Sequence, residues 1–244
     1  MEATGDSVYF DALASHYDRL ELLRIEGYRF CHELALDFIP YQVDKPFRVL
    51  DLGCGTGTFL RNILERYPNA TCVGVDYSGE MLSCADRKLE EFSDRVTLRR
   101  RDLNDGLPRD LGIFEVVASF WSIHHLTDEN KRRLFRQVRE VLEPGGWFFL
   151  VDSMSARFEK GVFQKGGRRY RLRLEERLRD AGEPFSEAEH LKAIKEQVPD
   201  ESPEKDRFAP LSSYVRWLEE AGFRSVDHLW HLWKDHFLIA RPAA

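Results

Sequence analysis

Apolar runs alternate with amphipathic stretches along most of the chain. The runs at 48–53, 71–76, 95–100, 113–121 and 147–152 have strand length and strand composition, and the stretches between them repeat apolar positions at helical spacing. Strands joined by helix-length crossovers predict an α/β fold with a doubly wound, parallel sheet. Two helix starts carry physical signals. Thr127 can cap a helix whose first turn holds Asp128 and Glu129, where acidic charge suits the dipole, and Ser78 precedes a helix through Met81, Leu82 and Ala85. Pro144-Gly145-Gly146 is expected to stop the helix that Thr127 starts.

The pattern changes after the fifth strand. Residues 156–206 carry long charged helical stretches with no strong strand signal, which predicts an inserted helical cap. Its first half is basic, from Lys160 to Arg179, and its second acidic, from Asp180 to Asp206. Two readings stand for this division: solvated helical faces that partly neutralise one another, or a pocket that receives an anionic substrate. Beyond Pro210, a helix at 211–221 ends at Gly222, and apolar segments at 224–230 and 233–240 follow so closely that they must pair antiparallel. Neither an internal repeat nor a low-complexity tract is visible.

Composition narrows the class. A chain of 244 residues suits one α/β core with an insertion, and 43% apolar with 32% charged residues is an ordinary globular balance. No stretch approaches the roughly 20 apolar residues of a membrane span. The opening residues carry Glu2 and Asp6 and lead into no apolar run, so a cytoplasmic location is expected. Cys31, Cys54, Cys72 and Cys84 show neither close pairing nor clustered histidine partners, which predicts no disulfide framework and no metal site. A net charge of −6 makes a nucleic-acid partner unexpected, because phosphate binding needs an excess of Lys and Arg on one face.

The most informative segment is Val49-Leu50-Asp51-Leu52-Gly53-Cys54-Gly55-Thr56-Gly57, a buried strand running into a glycine turn and then a helix. Glycines there remove the Cβ atoms that would hold a ligand away from the backbone, and ligands of such sheets bind beyond strand C-termini. A dinucleotide-binding turn would place its third glycine at position 58, but that residue is Thr58 and the glycine falls at Gly57. The spacing disfavours NAD and FAD, and with them an oxidoreductase. Asp51 fits a pyrophosphate poorly and a ligand bearing an ammonium group well. Asp76 ends the next strand, where a carboxylate can accept from both ribose hydroxyls. Asp102 closes the third strand and with Leu103 can flank an adenine, on which Met81 and Tyr77 pack.

These residues resemble a known family. DLGCGTG at 51–57, VGVDYS at 73–78, RRDLND at 100–105 and LEPGG at 142–146 are similar to the motifs of class I, Rossmann-like S-adenosylmethionine-dependent methyltransferases. The resemblance runs from about Tyr9 to Ala240. It implies a doubly wound, mostly parallel seven-stranded sheet with an antiparallel last strand, and S-adenosyl-L-methionine held at Gly53, Cys54, Gly55 and Gly57. By the same similarity Asp51 meets the methionine amine, Asp76 the ribose, and Asp102 with Leu103 the adenine. The segment from Tyr9 to Asp18 resembles the family's N-terminal lid, in which an aromatic such as Tyr17 closes over the cofactor. The chain then divides into a lid (1–40), a cofactor-binding core (46–153), a cap (154–208) and a C-terminal helix with a strand pair (209–244).

Methyl transfer is a displacement at an already activated carbon, so alignment of nucleophile, methyl and sulfur can supply most of the acceleration. A base is needed only for an acceptor that arrives protonated, and the candidates are His124 and His125 after the fourth strand. The alternative is that one histidine supports the turn before Thr127 and the other packs under the lid. Phe120 and Trp121 are expected to line the place where cofactor and substrate pockets meet, with Tyr170 reaching in from the cap. The expected reaction is methyl transfer to a small-molecule acceptor. Two alternatives remain open: synthesis of a carboxylated cofactor for transfer-RNA wobble chemistry, with Arg168 or Arg169 binding the extra carboxylate, and a non-catalytic cofactor-binding module. Nothing in the sequence fixes the oligomeric state.

Overall fold

The structure, a computed structural model, describes residues 14, 17–155, 172–182 and 205–242. Strands β1 (Arg48–Leu52), β2 (Thr71–Asp76), β3 (Val96–Arg100), β4 (Phe114–Phe120), β5 (Leu142–Ser153), β6 (Phe223–Leu232) and β7 (Asp235–Pro242) form one sheet in the order β3-β2-β1-β4-β5-β7-β6. Every pairing is parallel except those of β7, which runs antiparallel to both β5 and β6. The expected alternation of strands and helices is therefore borne out. After β3 the chain returns to lay β4 on the other side of β1, so β1 and β4 flank the point where the winding reverses. A crevice opens there beyond the strand ends. Asp51 sits at that point, in register with Gly74 of β2 and Ala118 of β4.

Helices α1 (Tyr17–Arg24), α2 (Tyr28–Phe38), α3 (Thr58–Arg66), α4 (Gly79–Lys88), α5 (Asp128–Val141) and α6 (Leu211–Glu220) accompany the sheet, with a further helical segment at 172–180. Burial explains which face each covers. Cys31 and Ala35 of α2, Phe59, Leu60 and Ile63 of α3 and Ala85 of α4 join Val49, Val116 and Phe149 in one core. Leu134, Phe135 and Val138 of α5 and Tyr214, Trp217 and Leu218 of α6 join Leu50, Val117 and Phe148 in the core of the opposite face. Alternate strand residues thus feed opposite layers, as the pleat requires. The two cap expectations also hold. The Thr127 side chain accepts from the Asn130 amide at 3.2 Å, and that of Ser78 from the Met81 amide at 3.1 Å.

The largest departures from the sequence reading fall at three places. The helix that Thr127 starts ends at Val141, and Pro144-Gly145-Gly146 lies inside β5, not before it. The ladder jumps there from Phe114 opposite Leu142 to Val116 opposite Trp147, so the extra residues bulge while β5 stays beside β4. Gly146 is required for this close approach, since a Cβ would stand 3.0 Å from the Glu115 carbonyl oxygen. The fourth strand stops at Phe120, and Trp121 turns out of it with φ 48. Trp233 belongs to the β6–β7 turn and not to β7, again with a positive φ of 59.

Of the 1–40 stretch, α2 is part of the core and α1 lies over the glycine turn. The cap expectation falls largely on residues outside those described. Its described helical segment joins the turn between α1 and α2: Arg173 and Arg177 pair with Glu26 at 2.6 and 3.9 Å, and Leu178 is buried.

Candidate functional site

The glycine turn is shaped by three left-handed residues, each glycine for a different reason. Gly53 has φ 69, and a Cβ on it would lie 1.9 Å from Ser122 Oγ, so it is packed against the turn after β4. Gly57 has φ 78 and faces Leu89 and Ala85 at 3.0 and 3.2 Å, which seats the start of α3 against α4. Gly55 has φ 52, and among the described residues the only atom within 4 Å of its missing Cβ is Tyr17 Cε1 at 3.9 Å. Gly55 is therefore the glycine that keeps a space open, and Tyr17 stands across it.

That space is a cleft with two chambers sharing Tyr17, Gly53, Gly55, Phe120 and Trp121. The outer chamber, about 590 Å³, adds Asp76, Tyr77, Met81, Asp102, Leu103 and His125. The inner chamber, about 370 Å³, adds Tyr28, His32, Asp51, Cys54 and Phe59. The outer set has an apolar slot (Met81, Leu103) edged by carboxylates, as a flat heterocycle on a polyol requires. In the inner set, Asp51 Oδ1 is buried with no hydrogen-bond partner among the described residues. Burial, and then the neighbouring Asp76 carboxylate, push the Asp51 acid up to about 8. A buried acceptor without a donor is costly, and a ligand ammonium would satisfy it.

Asp76 is held rigidly. Its Oδ2 accepts from the Gly55 amide at 2.8 Å and its Oδ1 from the Ser78 amide at 2.9 Å, which leaves further lone pairs for hydroxyls in the outer chamber. Asp102 accepts from the Asn104 amide at 2.7 Å and starts the short turn that presents Leu103. The structure thus brings Asp51, Gly53, Cys54, Gly55, Asp76, Tyr77, Met81, Asp102, Leu103, Phe120, Trp121 and Tyr17 to one cleft. Gly57 stands behind it. Tyr9 and Tyr170 lie outside the described residues.

The sequence reading missed several residues. Tyr28 stacks on Trp121 with ring centres 5.4 Å apart, and His32 packs edge-on to Phe120 at 4.3 Å. Complete burial, with Lys88 nearby, drives the His32 imidazolium down to about 3, so His32 is a neutral wall of the inner chamber. The strained Trp121 backbone is held by its amide to the Val151 carbonyl at 2.7 Å and its indole N–H to Asp235 at 3.1 Å. Asp18 of α1 accepts from Thr56 at 2.5 Å and from Thr58 at 3.1 Å, and pairs with Lys88 at the end of α4. No local pattern marks these; only the fold joins them.

His124 and His125 occupy different surroundings. His124 Nδ1 lies 2.6 Å from Asp152 Oδ1, and Tyr214 donates to the other Asp152 oxygen at 2.9 Å. Burial pulls the His124 imidazolium down, but the carboxylates of Asp152 and Asp206 outweigh it and hold it up at about 9. Burial and the adjacent His124 drive His125 down to about 3. His125 borders the outer chamber, whereas His124 stands behind it. The fold also brings a carboxylate, Asp206, to both rings.

Sheet order, glycine turn and acid-ended strands together are those of the class I, Rossmann-like methyltransferase fold, and the chain has that fold. Residues 49–146 match the family model described as a methyltransferase domain. The chain is 26% identical over 223 residues to a ubiquinone/menaquinone biosynthesis C-methyltransferase of Geotalea daltonii, covering 90% of this chain and 88% of that protein. It is 31% identical over 198 residues to a trans-aconitate 2-methyltransferase of Methylobacterium nodulans, covering 80% and 62%. Other curated relatives are matched over 37% to 63% of their length. A solved structure described as a DhpI–SAH complex shares the fold, with a TM-score of 0.63 at 19% identity over 98% of this chain and 96% of that one. Among the described residues, no helix is long and apolar enough to cross a membrane.

Proposed function

We propose that the protein transfers a methyl group from S-adenosyl-L-methionine to a small-molecule acceptor by in-line displacement. The observation that carries this reading is the pairing of Asp51 Oδ1, buried without a donor among the described residues, with Gly55, whose missing side chain opens the turn to the same cleft. When bound, the cofactor supplies a methyl group already activated by a sulfonium. Asp51 would hold its amine, the backbone at Gly53 and Gly55 its amino-acid portion, Asp76 its ribose, and Asp102, Leu103 and Met81 its adenine. Phe120, Trp121 and Tyr28 exclude water from the reacting end, and Tyr17 closes over it. Most of the acceleration then comes from orientation in a dry site.

The acceptor enters beside His125 and Leu126, which border the outer chamber. The named relatives suggest two acceptor classes to try first: an electron-rich quinol ring and a polycarboxylic acid. The carboxylated-cofactor reading rests on Arg168 and Arg169, which lie outside the described residues. The free thiols of Cys31, Cys54, Cys72 and Cys84 support a reducing, cytoplasmic setting.

Calorimetry with S-adenosylmethionine and its demethylated product tests the site, and transfer of a labelled methyl group across quinol and carboxylate panels tests the reaction. One-to-one binding that weakens at least tenfold in Asp76→Ala is expected. Binding without transfer to any acceptor would favour the non-catalytic module instead.

A further inference from the structure

Next to the cleft, the turn after β4 and residues 205–207 meet at three side chains, the two histidines considered as bases and a carboxylate that the sequence does not link to them. His124 Nε2 lies 3.5 Å from Asp206 Oδ1, and His125 Nδ1 lies 3.7 Å from the same oxygen. One ligating atom from each of the three residues falls within 4.8 Å of the others. A tetrahedral centre with bonds of about 2.1 Å spaces its ligands roughly 3.4 Å apart, so two of these separations are already near those of a bound ion.

The surroundings are built as a metal site's are. His124 turns its other ring nitrogen, Nδ1, to buried Asp152 at 2.6 Å, and Asp152 is fixed in turn by the Tyr214 hydroxyl at 2.9 Å. A carboxylate behind a histidine, itself hydrogen-bonded, is the arrangement that orients metal-ligating imidazoles and raises their basicity. Asp206 is anchored through its neighbour: the Arg207 amide donates to the His124 carbonyl at 2.8 Å, and the Arg207 guanidinium to the His125 carbonyl at 2.6 Å. Lys131 also ties the two segments, donating to the Leu126 carbonyl at 2.8 Å and to the Arg207 carbonyl. The donor set is therefore held from both sides while Asp206 stays half exposed and accessible to solvent.

We propose that His124, His125 and Asp206 form a site for a divalent transition-metal ion of the zinc class, with at least one coordination position left for an oxygen donor from the outer chamber. Two imidazoles and a carboxylate suit such ions and not calcium or magnesium. Three protein ligands with an open fourth position is also the pattern of zinc sites that act on a substrate. Because His125 borders the chamber, the oxygen donor is a carboxylate or hydroxyl of the acceptor, held in front of the cofactor turn. This assignment of the acceptor's donor group rests on the methyltransferase reading; the ion site itself does not.

A second imidazole group supplies the control. His228, His231 and His236 stack on the β6–β7 hairpin with ring centres 5.0 to 5.5 Å apart, and they could capture zinc at the surface. The full chain is stripped with chelator, exchanged into chelator-free buffer and titrated calorimetrically with zinc chloride, and the same preparations are titrated with S-adenosylhomocysteine. One zinc per chain is expected in the wild type and in His236→Gln, at least tenfold weaker in Asp206→Asn and in His125→Gln, and roughly 10- to 100-fold weaker in Asp152→Asn. The site is overturned if zinc does not bind, or if binding is lost in His236→Gln and kept in Asp206→Asn. Nucleoside binding without zinc binding removes this inference alone. Zinc binding without nucleoside binding removes the methyltransferase reading and leaves the ion site standing.

Discussion

Asp18, near the start of α1, forms an ion pair with Lys88, the last residue of α4, and the two enclose the hydroxyls of Thr56 and Thr58. Seventy positions separate them in the chain, yet together they fasten α1 to the glycine turn.

Breaking this fastening should loosen the cofactor more than the fold. Half exposure of Asp18 limits the pair, so Lys88→Met or Asp18→Asn should cost about 1 kcal/mol, which is roughly fivefold in cofactor affinity. Calorimetry at two salt concentrations checks this, and an effect independent of salt would contradict an electrostatic clamp. Because the carboxyl of Asp18 is held below its ordinary range against the opposing effect of burial, the pair's contribution to stability is present above pH 4 and fades only as pH falls below that.

Cofactor affinity should peak close to pH 8. Asp51 must be ionised to receive an ammonium, and its acid sits at about 8, so affinity falls roughly tenfold per pH unit below that value. Above it the ligand's own α-amine, with an ordinary value of about 8, loses its proton and affinity falls again. In Asp51→Asn the acid limb should vanish while the alkaline limb shrinks. For the unliganded protein the sign is opposite: a raised acid favours the protonated folded state, so Asp51's contribution to stability declines as pH rises from 4 to 8 and is regained on cofactor binding. Thermal melts across that range, with and without cofactor, test this.

Gly53 and Gly55 should respond differently to the same change. Gly53→Ala meets both a positive φ and Ser122 Oγ at 1.9 Å, so it should destabilise the fold by more than the 1 to 2 kcal/mol or so that left-handed geometry costs. Gly55→Ala bears only the backbone cost and fills open space before Tyr17, so it should lose cofactor binding at least tenfold while melting only slightly earlier. Equal loss of stability in both would remove the distinction between a packed and an open glycine.

Deleting the Tyr214 hydroxyl leaves buried Asp152 short of one donor. Tyr214→Phe should cost about 1.5 to 3 kcal/mol, the range for a hydrogen bond to a charged group, in urea unfolding. Asp152→Ala removes a buried partner of His124 and should cost roughly 3 to 5 kcal/mol. The two losses should not add in the double variant, because one network holds both groups.

Local signals carried much of this protein. Alternating periodicity announced five parallel strands, Ser78 and Thr127 announced helix starts, and three glycines with acids at successive strand ends announced the cofactor turn. Each depends only on residues close in sequence, which is why each is legible there. The division of labour among those glycines was not legible. Their sequence environments look alike, and only the neighbours brought by other strands separate Gly53 and Gly57, which are packed, from Gly55, which is open. The bulge at Pro144 to Gly146 was misread as a stop for the same reason, since its carbonyl neighbour, Glu115, comes from β4.

The sequence by itself determined the winding of the sheet and the glycine turn with its acid-ended strands, because both are written in short-range pattern and backbone geometry. The tertiary structure alone decided which distant side chains share a space: Asp18 with Lys88, Tyr28 and His32 with Asp51, and Asp206 with the two adjacent histidines. Such meetings are set by how layers and returning loops pack, and no one-dimensional spacing encodes them.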